Sequence, residues 1–97
     1  MNLIEAVQQR HLLHWHDRGL VRSIEPHAFA LFPGGRLVII GFQVRGGPNS
    51  EPQSIWRVID ASDGISVDSL SKFSRQRIVP SHLLSQICQT LALPYFQ

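Results

Sequence analysis

Cysteine is nearly absent from this 97-residue sequence, which contains only Cys88. A single thiol cannot form an intrachain disulfide. Cys88 lies in an apolar C-terminal stretch, so we expect it to be buried as a small apolar residue. The sequence also lacks an apolar run of 18 residues and a signal-peptide pattern. Together these absences predict a cytoplasmic protein that does not bind a membrane.

Charge is scarce, and lysine is almost missing. Charged residues make up 16% of the chain and the net charge is +2, yet eight of the nine basic residues are arginines and only Lys72 is a lysine. A planar guanidinium group matches phosphates and carboxylates and stacks on aromatic rings. The arginine bias therefore indicates anion recognition, with the codon usage of a GC-rich bacterial genome as the alternative explanation. Low surface charge also favours a homo-oligomer or a partner protein.

The sequence does contain enough apolar residues, 43% of the chain, to form the core of one domain over residues 1–97. Alternating apolar positions predict five strands, and helical spacing predicts a helix at each end of the chain. The predicted strands are residues 11–16, 20–32, 36–44, 54–60 and 65–70, and the predicted helices are residues 2–10 and 81–92. Residues 36–44 are largely apolar on both faces, which predicts a strand that is central or covered on both sides.

Proline and glycine indicate how the strands connect. Pro26 cannot donate a ladder hydrogen bond, which predicts an edge, a bulge or a bend within residues 20–32. Pro33-Gly34-Gly35 predicts a hairpin turn, and a polar loop is expected over residues 45–53. Five short consecutive strands predict a mainly β fold, of the α+β kind, in which a small antiparallel barrel of the SH3/Sm or OB kind spans about residues 11–70. The N-terminal helix before consecutive meandering strands favours the SH3/Sm-like order.

Sequence patterns for catalysis are missing. The chain has no GxSxG, HExxH or CxxC element and no glycine-rich loop leading into a helix. His14 and His16 share one face of a predicted strand and could bind a metal with His11 or His27, but no acidic ligand pattern accompanies them. We therefore predict no catalytic residue, no metal and no cofactor, and expect a protein that is not an enzyme. A metal-dependent hydrolase or nuclease that uses these histidines is the alternative.

Arginines beside aromatic residues form the main functional signal. Arg22 lies on the second predicted strand, and Arg57 follows Trp56 on the fourth, so a small barrel can bring both guanidinium groups to one anion. Trp15 or Trp56 would then offer a stacking surface. The alternative is that the arginines pair with acidic neighbours such as Glu25 and that both tryptophans are core residues.

A second basic patch follows the last predicted strand. Lys72, Arg75 and Arg77 occur within the ten residues 71–80, the densest basic stretch of the chain. Such a patch is typical of a surface that meets an anionic ligand or nucleic acid.

Short motifs occur here in the order found in a known family. They are Trp15 near a strand end, Arg22 with Pro26, the stretch Ile39–Phe42, Trp56-Arg57 with Ile59, and Ile65–Val67. In these motifs the sequence resembles the WYL domain, which occurs mostly in bacterial transcription regulators and defence-associated proteins. It is most similar to short stand-alone members, because it also carries Glu-Pro-His at Glu25–His27 and a Q-x-x-G element at Gln43–Gly46. The resemblance covers about residues 3–77.

The resemblance implies an Sm/SH3-like barrel that senses a negatively charged ligand. It implies a pocket formed by Arg22, His27, Gln43 and Arg57, with Trp15 and Trp56 as its walls. We thus predict a non-enzymatic ligand-sensing or regulatory module that binds an anionic, nucleotide-like or single-stranded nucleic-acid ligand. The alternative is a protein–protein interaction or oligomerisation subunit of a larger bacterial regulatory or defence assembly.

Overall fold

A computed structural model describes residues 1–46 and 55–96 of the chain. Six strands and two short helices form the described part. The helices are α1 (Leu3–Gln8) and α2 (Ser81–Leu84), and the strands are β1 (His11–Asp17), β2 (Leu20–Phe32), β3 (Arg36–Gly46), β4 (Ile55–Asp60), β5 (Gly64–Lys72) and β6 (Gln89–Ala92). Most of the loop predicted over residues 45–53 lies outside the described residues, and its first two residues extend β3.

The six strands form one antiparallel sheet. Its order is β4-β3-β2-β1-β5, and β6 also pairs with β2. The prediction of a mainly β, antiparallel fold is thus confirmed, with a sixth strand added. Because β4 and β5 stand at opposite ends of the order, the sheet does not close on itself within the described residues.

Strand β2 is the centre of the sheet because it is long enough to pair with three neighbours. Its first half pairs with β1, its second half with β6, and its other edge with β3. The pairing shifts between Pro26 and Ala28, where His27 is the extra residue opposite β3. Pro26 therefore lies at a bulge, as predicted, and the bulge bends the strand and changes the direction of the His27 side chain.

Tight turns connect the first three strands. Arg18 and Gly19 both have positive φ angles, of 54° and 78°, in a two-residue turn that pairs Asp17 with Leu20. Two consecutive positive φ angles match the twist of a hairpin, which explains the Asp-Arg-Gly sequence. The predicted hairpin turn at Pro33–Gly35 is present as a short 3-10 turn between β2 and β3.

The sheet buries apolar residues on both faces. One face, which we call the Trp15 face, carries a cluster against which Trp15 packs. Its members are Ala6, Val7, Leu13, Ile24, Phe29, Ile39, Ile59 and Ala92. Helix α1 covers part of this face, and the Asn2 side chain caps it by accepting a 2.8 Å hydrogen bond from the Glu5 N–H.

The opposite face, which we call the Trp56 face, carries a smaller cluster. Its buried members are Ala28, Phe32, Val38, Ile40 and Leu83, and Trp56 packs against them. Strand β3 is interior to the sheet and contributes Ile39 to one cluster and Ile40 to the other. This confirms the prediction that residues 36–44 are covered on both faces.

The predicted helix over residues 81–92 is wrong. The helix ends at Leu84, and residues 89–92 form β6, which pairs antiparallel with Phe29–Leu31 of β2. Strand β1 reaches only as far as Ile24 along that edge, so a helix would leave the peptide groups of Phe29–Leu31 without strand partners. Pairing these groups outweighs the apolar spacing of a segment too short to be a stable helix alone.

Cys88 was expected to be buried and is exposed. Its N–H donates a 2.7 Å hydrogen bond to the Leu31 carbonyl, which starts the pairing of β6 with β2. The expected burial depended on a helical face that does not form.

Within residues 1–46 and 55–96, no helix has the length and apolar character needed to span a bilayer.

Candidate functional site

The sheet divides the six predicted site residues between its two faces. Trp15 packs against the cluster of Leu13 and Ile39, while Trp56 packs against that of Val38 and Ile40. Side chains alternate between faces along a strand, so Gln43 shares the face of Ile39. Arg22, Gln43, Arg57 and Trp15 therefore lie together on the Trp15 face, and His27 and Trp56 lie on the other.

Two guanidinium groups converge on one amide oxygen at the Trp15 face. Arg57 Nε donates to Gln43 Oε1 at 2.9 Å, and the Arg22 terminal nitrogen donates to the same oxygen at 3.5 Å. The Gln43 side chain is fully buried, and its Nε2 donates to the Gly46 carbonyl at 3.0 Å. Gln43 thus accepts hydrogen bonds from both arginines and is itself anchored to the backbone at Gly46.

The Trp15 ring supports both cations. The Arg22 guanidinium carbon lies 5.3 Å from its centroid, and that of Arg57 lies 5.9 Å from it. Cations at this distance from an indole are attracted to its π electrons. Trp15, expected as a stacking wall for a ligand, therefore contacts the arginines themselves.

Arg22, Gln43, Arg57 and Trp15 form a cluster that we call the arginine cluster, and Asp17 is an additional member of it. Its Oδ2 lies 3.3 Å from the guanidinium group of Arg22, and Arg22 as a whole is only 6% exposed. Glu25, the acidic neighbour considered as an alternative partner of Arg22, pairs with Arg77 instead. The hairpin register accounts for the Asp17 contact: Trp15 lies opposite Arg22, and Asp17 follows just before the tight turn.

His27 forms a separate, aromatic cluster on the Trp56 face. Its ring centroid is 5.2 Å from those of both Trp56 and Phe73 and 6.5 Å from that of Phe96. Its Nδ1–H donates to the Glu25 carbonyl at 2.9 Å, and its Nε2 accepts from the Arg77 backbone N–H at 3.2 Å. Both ring nitrogens are thus bonded in a way that requires the neutral, Nδ1-protonated imidazole.

Burial lowers the pKa of His27, and the guanidinium of Arg77 acts in the same direction. The unfolded chain therefore binds a proton at this histidine before the folded chain does. We expect the free energy of unfolding to decrease as the pH falls below about 6.5 and to be unaffected by this group at higher pH. Urea unfolding between pH 7.5 and 5.0 measures this pH dependence of the free energy of unfolding.

His27→Phe, which keeps a ring but cannot titrate, should have a shallower pH dependence than the native protein. His82→Gln, which removes an exposed histidine, should keep the native slope. Equal slopes for His27→Phe and the native chain would contradict the assignment of this pH dependence to His27.

The predicted basic patch is divided by the structure. Arg77 donates from Nε to Glu25 Oε1 at 2.9 Å, and its guanidinium lies 3.9 Å from the Phe42 ring centroid. Lys72 and Arg75 are exposed to solvent. Arg77 therefore fastens residues 73–80 to the Trp56 face, and only Lys72 and Arg75 present charge freely at the surface.

The histidines on β1 form hydrogen bonds to neighbouring strands. His14 lies 3.2 Å from Asp68 Oδ2 and 3.5 Å from Ser23 Oγ, and His16 lies 3.3 Å from Ser66 Oγ. Ser23 is buried on the interior strand β2. In the described ranges, no three His, Cys, Asp or Glu side chains are grouped so that they could hold a metal ion.

An apolar groove of about 470 Å³ lies beside His27. Ile78 on its border is 93% exposed, and Leu84 and Leu93 are also exposed. Exposed apolar residues around a groove are typical of surfaces that contact proteins.

Two groups of the arginine cluster, the Asp17 carboxylate and the Gly46 carbonyl, were not predicted from the sequence. The signal for Asp17 was the two-residue turn, which fixes the β1–β2 register and so places Asp17 near Arg22.

Comparison of the chain with protein-family models, with characterised proteins and with solved structures finds no match.

Proposed function

We propose that this protein is a non-enzymatic binding module that holds an anionic ligand, of the nucleotide or single-stranded nucleic-acid class, at the Trp15 face. The observation that supports this most strongly is the convergence of Arg22 and Arg57 on the single oxygen of Gln43. Two guanidinium groups held side by side present adjacent planar sets of N–H donors, which match the oxygen atoms of a phosphate group.

The exposure of the two arginines indicates their roles in the same proposal. Both carry a guanidinium group to the Trp15 face, and the Asp17 carboxylate lies 3.3 Å from that of Arg22. Arg57 is partly exposed, whereas Arg22 is almost completely buried behind it. In the proposed complex, Arg57 contacts the ligand directly with its planar fork, and Arg22 adds charge from behind.

Gln43 and Trp15 have positioning roles in this proposal. Gln43 holds the guanidinium planes through its oxygen, and Trp15 supports them from one side. A site whose groups are held before the ligand arrives loses less conformational freedom on binding. His27 and Trp56 belong to the opposite face and contribute packing to the fold.

The WYL resemblance supports this proposal because it implies a pocket containing Arg22, Gln43 and Arg57. We also propose that the bent sheet is an open form of the Sm/SH3-like barrel that the resemblance implies. The strongly bent β2 favours such a class, since its bulges curve the sheet. On this proposal the protein senses its ligand in the bacterial cytoplasm as part of a regulatory system.

The proposal predicts binding that depends on Arg57 and on salt. Isothermal titration with a short single-stranded oligonucleotide and with its nucleotides should give a Kd that rises with salt concentration, because phosphate contacts are screened. Arg57→Gln should weaken binding by about tenfold or more, which corresponds to roughly 1.4 kcal/mol.

Arg36→Gln is the matched control. Arg36 is an exposed arginine at the end of β3 that is far from Gln43, so this variant should bind the ligand as the native protein does. Asp17→Asn should tighten binding, because it removes a negative charge beside Arg22 that repels an anionic ligand. Native affinity in Arg57→Gln, with the variant folded, would overturn the proposal.

A further inference from the structure

A polar cleft of about 500 Å³ opens where the end of α1, the end of β5 and the segment after β6 meet. Its lining includes the cations Arg10 and Lys72 and the neutral donors Gln8, Ser74 and Tyr95. None of the described residues that line it is acidic. The cleft is thus rich in groups that donate hydrogen bonds or carry positive charge.

Backbone hydrogen bonds hold the three segments around the cleft. The Phe73 N–H donates to the Arg10 carbonyl at 2.9 Å, which joins the end of β5 to the turn between α1 and β1. The Tyr95 N–H donates to the Gln8 carbonyl at 3.0 Å, which joins the C-terminal segment to the same turn. The walls of the cleft are therefore fixed relative to one another.

Arg10 has an unusual backbone conformation for its residue type. Its φ angle is 64°, in the left-handed region where glycine is the common residue after a helix. Its side chain is held in place as well, since a terminal nitrogen donates to the Phe73 carbonyl at 2.8 Å and the guanidinium lies 5.8 Å from the Phe96 ring centroid. The cation is positioned at the cleft by the fold itself.

Among the described residues, the two cations of the cleft lack an acidic partner. Across residues 1–46 and 55–96, neither Arg10 nor Lys72 has a carboxylate at ion-pair distance. Lys72 is exposed, and its ammonium group is a mobile point charge beside the fixed fork of Arg10. A fork and a point charge facing the same space are suited to a phosphate group.

We propose that this cleft binds a nucleoside monophosphate, with its phosphate between Arg10 and Lys72 and its base against Tyr95. The cleft volume is in the range of small-ligand sites. Tyr95 is 65% exposed and presents an aromatic ring on which a base can stack. Arg10 lies about 16 Å from Trp15 along β1, so the site is separate from the anion site proposed on the Trp15 face.

Chemical-shift mapping of the isotope-labelled protein tests the proposal. Adenosine 5′-monophosphate should shift the backbone amide signals of Lys72, Ser74 and Tyr95. Inorganic phosphate should shift those of Lys72 and Ser74 with lower affinity, and adenosine alone should leave them unchanged. Affinities for phosphate and for the nucleotide that are equal would overturn the role of Tyr95 and the nucleotide assignment.

Variants of the cations complete the test. Lys72→Gln and Arg10→Gln should each raise the Kd for adenosine 5′-monophosphate by about tenfold. Arg75→Gln, which removes an exposed arginine three residues further along the chain, should change it less than twofold. Lys72 is exposed, so its variant keeps the fold, and native affinity in Lys72→Gln would overturn the proposal.

Discussion

Gln43→Leu is expected to lower the free energy of unfolding by about 3 kcal/mol. Leucine fills a similar volume but removes the oxygen that accepts from Arg22 and Arg57 and the amide that donates to the Gly46 carbonyl. Arg22 is almost completely buried, so a lost hydrogen-bond acceptor cannot be replaced freely by water. Removing one partner of a buried charged group costs more than the hydrogen bond contributes.

Urea unfolding of Gln43→Leu and of Gln89→Leu measures this effect. Gln89 is an exposed residue of β6, so its replacement by leucine should change the stability by less than about 0.5 kcal/mol. Gln43→Glu should lose less than Gln43→Leu, because a carboxylate still accepts from both arginines. A stability of Gln43→Leu equal to that of Gln89→Leu would show that the amide does not hold the cluster.

Gly41→Ala is expected to destabilise the protein by a similar amount, about 3 kcal/mol. Gly41 lies opposite Pro26 at the bulge of β2, and a Cβ there would overlap Ile24 Cγ2 and stand 3.2 Å from the Glu25 carbonyl oxygen. That carbonyl accepts from His27 Nδ1, and Ile24 is fully buried, so neither neighbour can move away without cost. Overpacking in a closed core forces such shifts.

Gly64→Ala is the comparison for Gly41→Ala, since Gly64 is an exposed strand glycine near the side chain of His16. Thermal unfolding should give a much smaller change for Gly64→Ala. In the double variant Ile24→Ala/Gly41→Ala the two losses should not add, because the first change removes the methyl group that the second would overlap. Fully additive losses would mean that Gly41 is needed for another reason.

Much of the sheet could be predicted from the sequence because its strands carry local signals. Residues 36–44 have apolar residues on both faces, which identified an interior strand, and Pro26 indicated the bulge. The Asp-Arg-Gly turn also follows local rules, since its positive φ angles match a two-residue hairpin. These features depend on residues close together in the chain.

The C-terminal segment could not be predicted in the same way. Leu83, Leu84, Ile87, Cys88 and Leu91 have helical spacing, yet residues 89–92 form a strand. The deciding factor is a long-range one, the edge of β2 that β1 leaves unpaired beyond Ile24. That edge is distant in sequence from residues 81–92, so their local pattern of apolar residues does not indicate the pairing.

Four of the six predicted site residues, Arg22, Gln43, Arg57 and Trp15, lie together, but their separation from His27 and Trp56 was not predicted. Alternation along β3 places Gln43 with Ile39 and Phe42 with Val38, which separates Gln43 from Trp56. His27 was harder to place, because the bulge breaks the alternation between Pro26 and Ala28. The pairing of Arg22 with Asp17 instead of Glu25 likewise depends on the hairpin register.

The fluorescence of Trp15 tests the central proposal most directly. Trp56→Phe leaves Trp15 as the sole tryptophan, and its ring contacts both Arg22 and Arg57. Titration of this variant with a short single-stranded oligonucleotide should change the Trp15 emission with the same Kd that calorimetry gives, and added Arg57→Gln should move the change to a ligand concentration about tenfold or more higher. Binding by calorimetry without any change in Trp15 emission would contradict a ligand site on the Trp15 face.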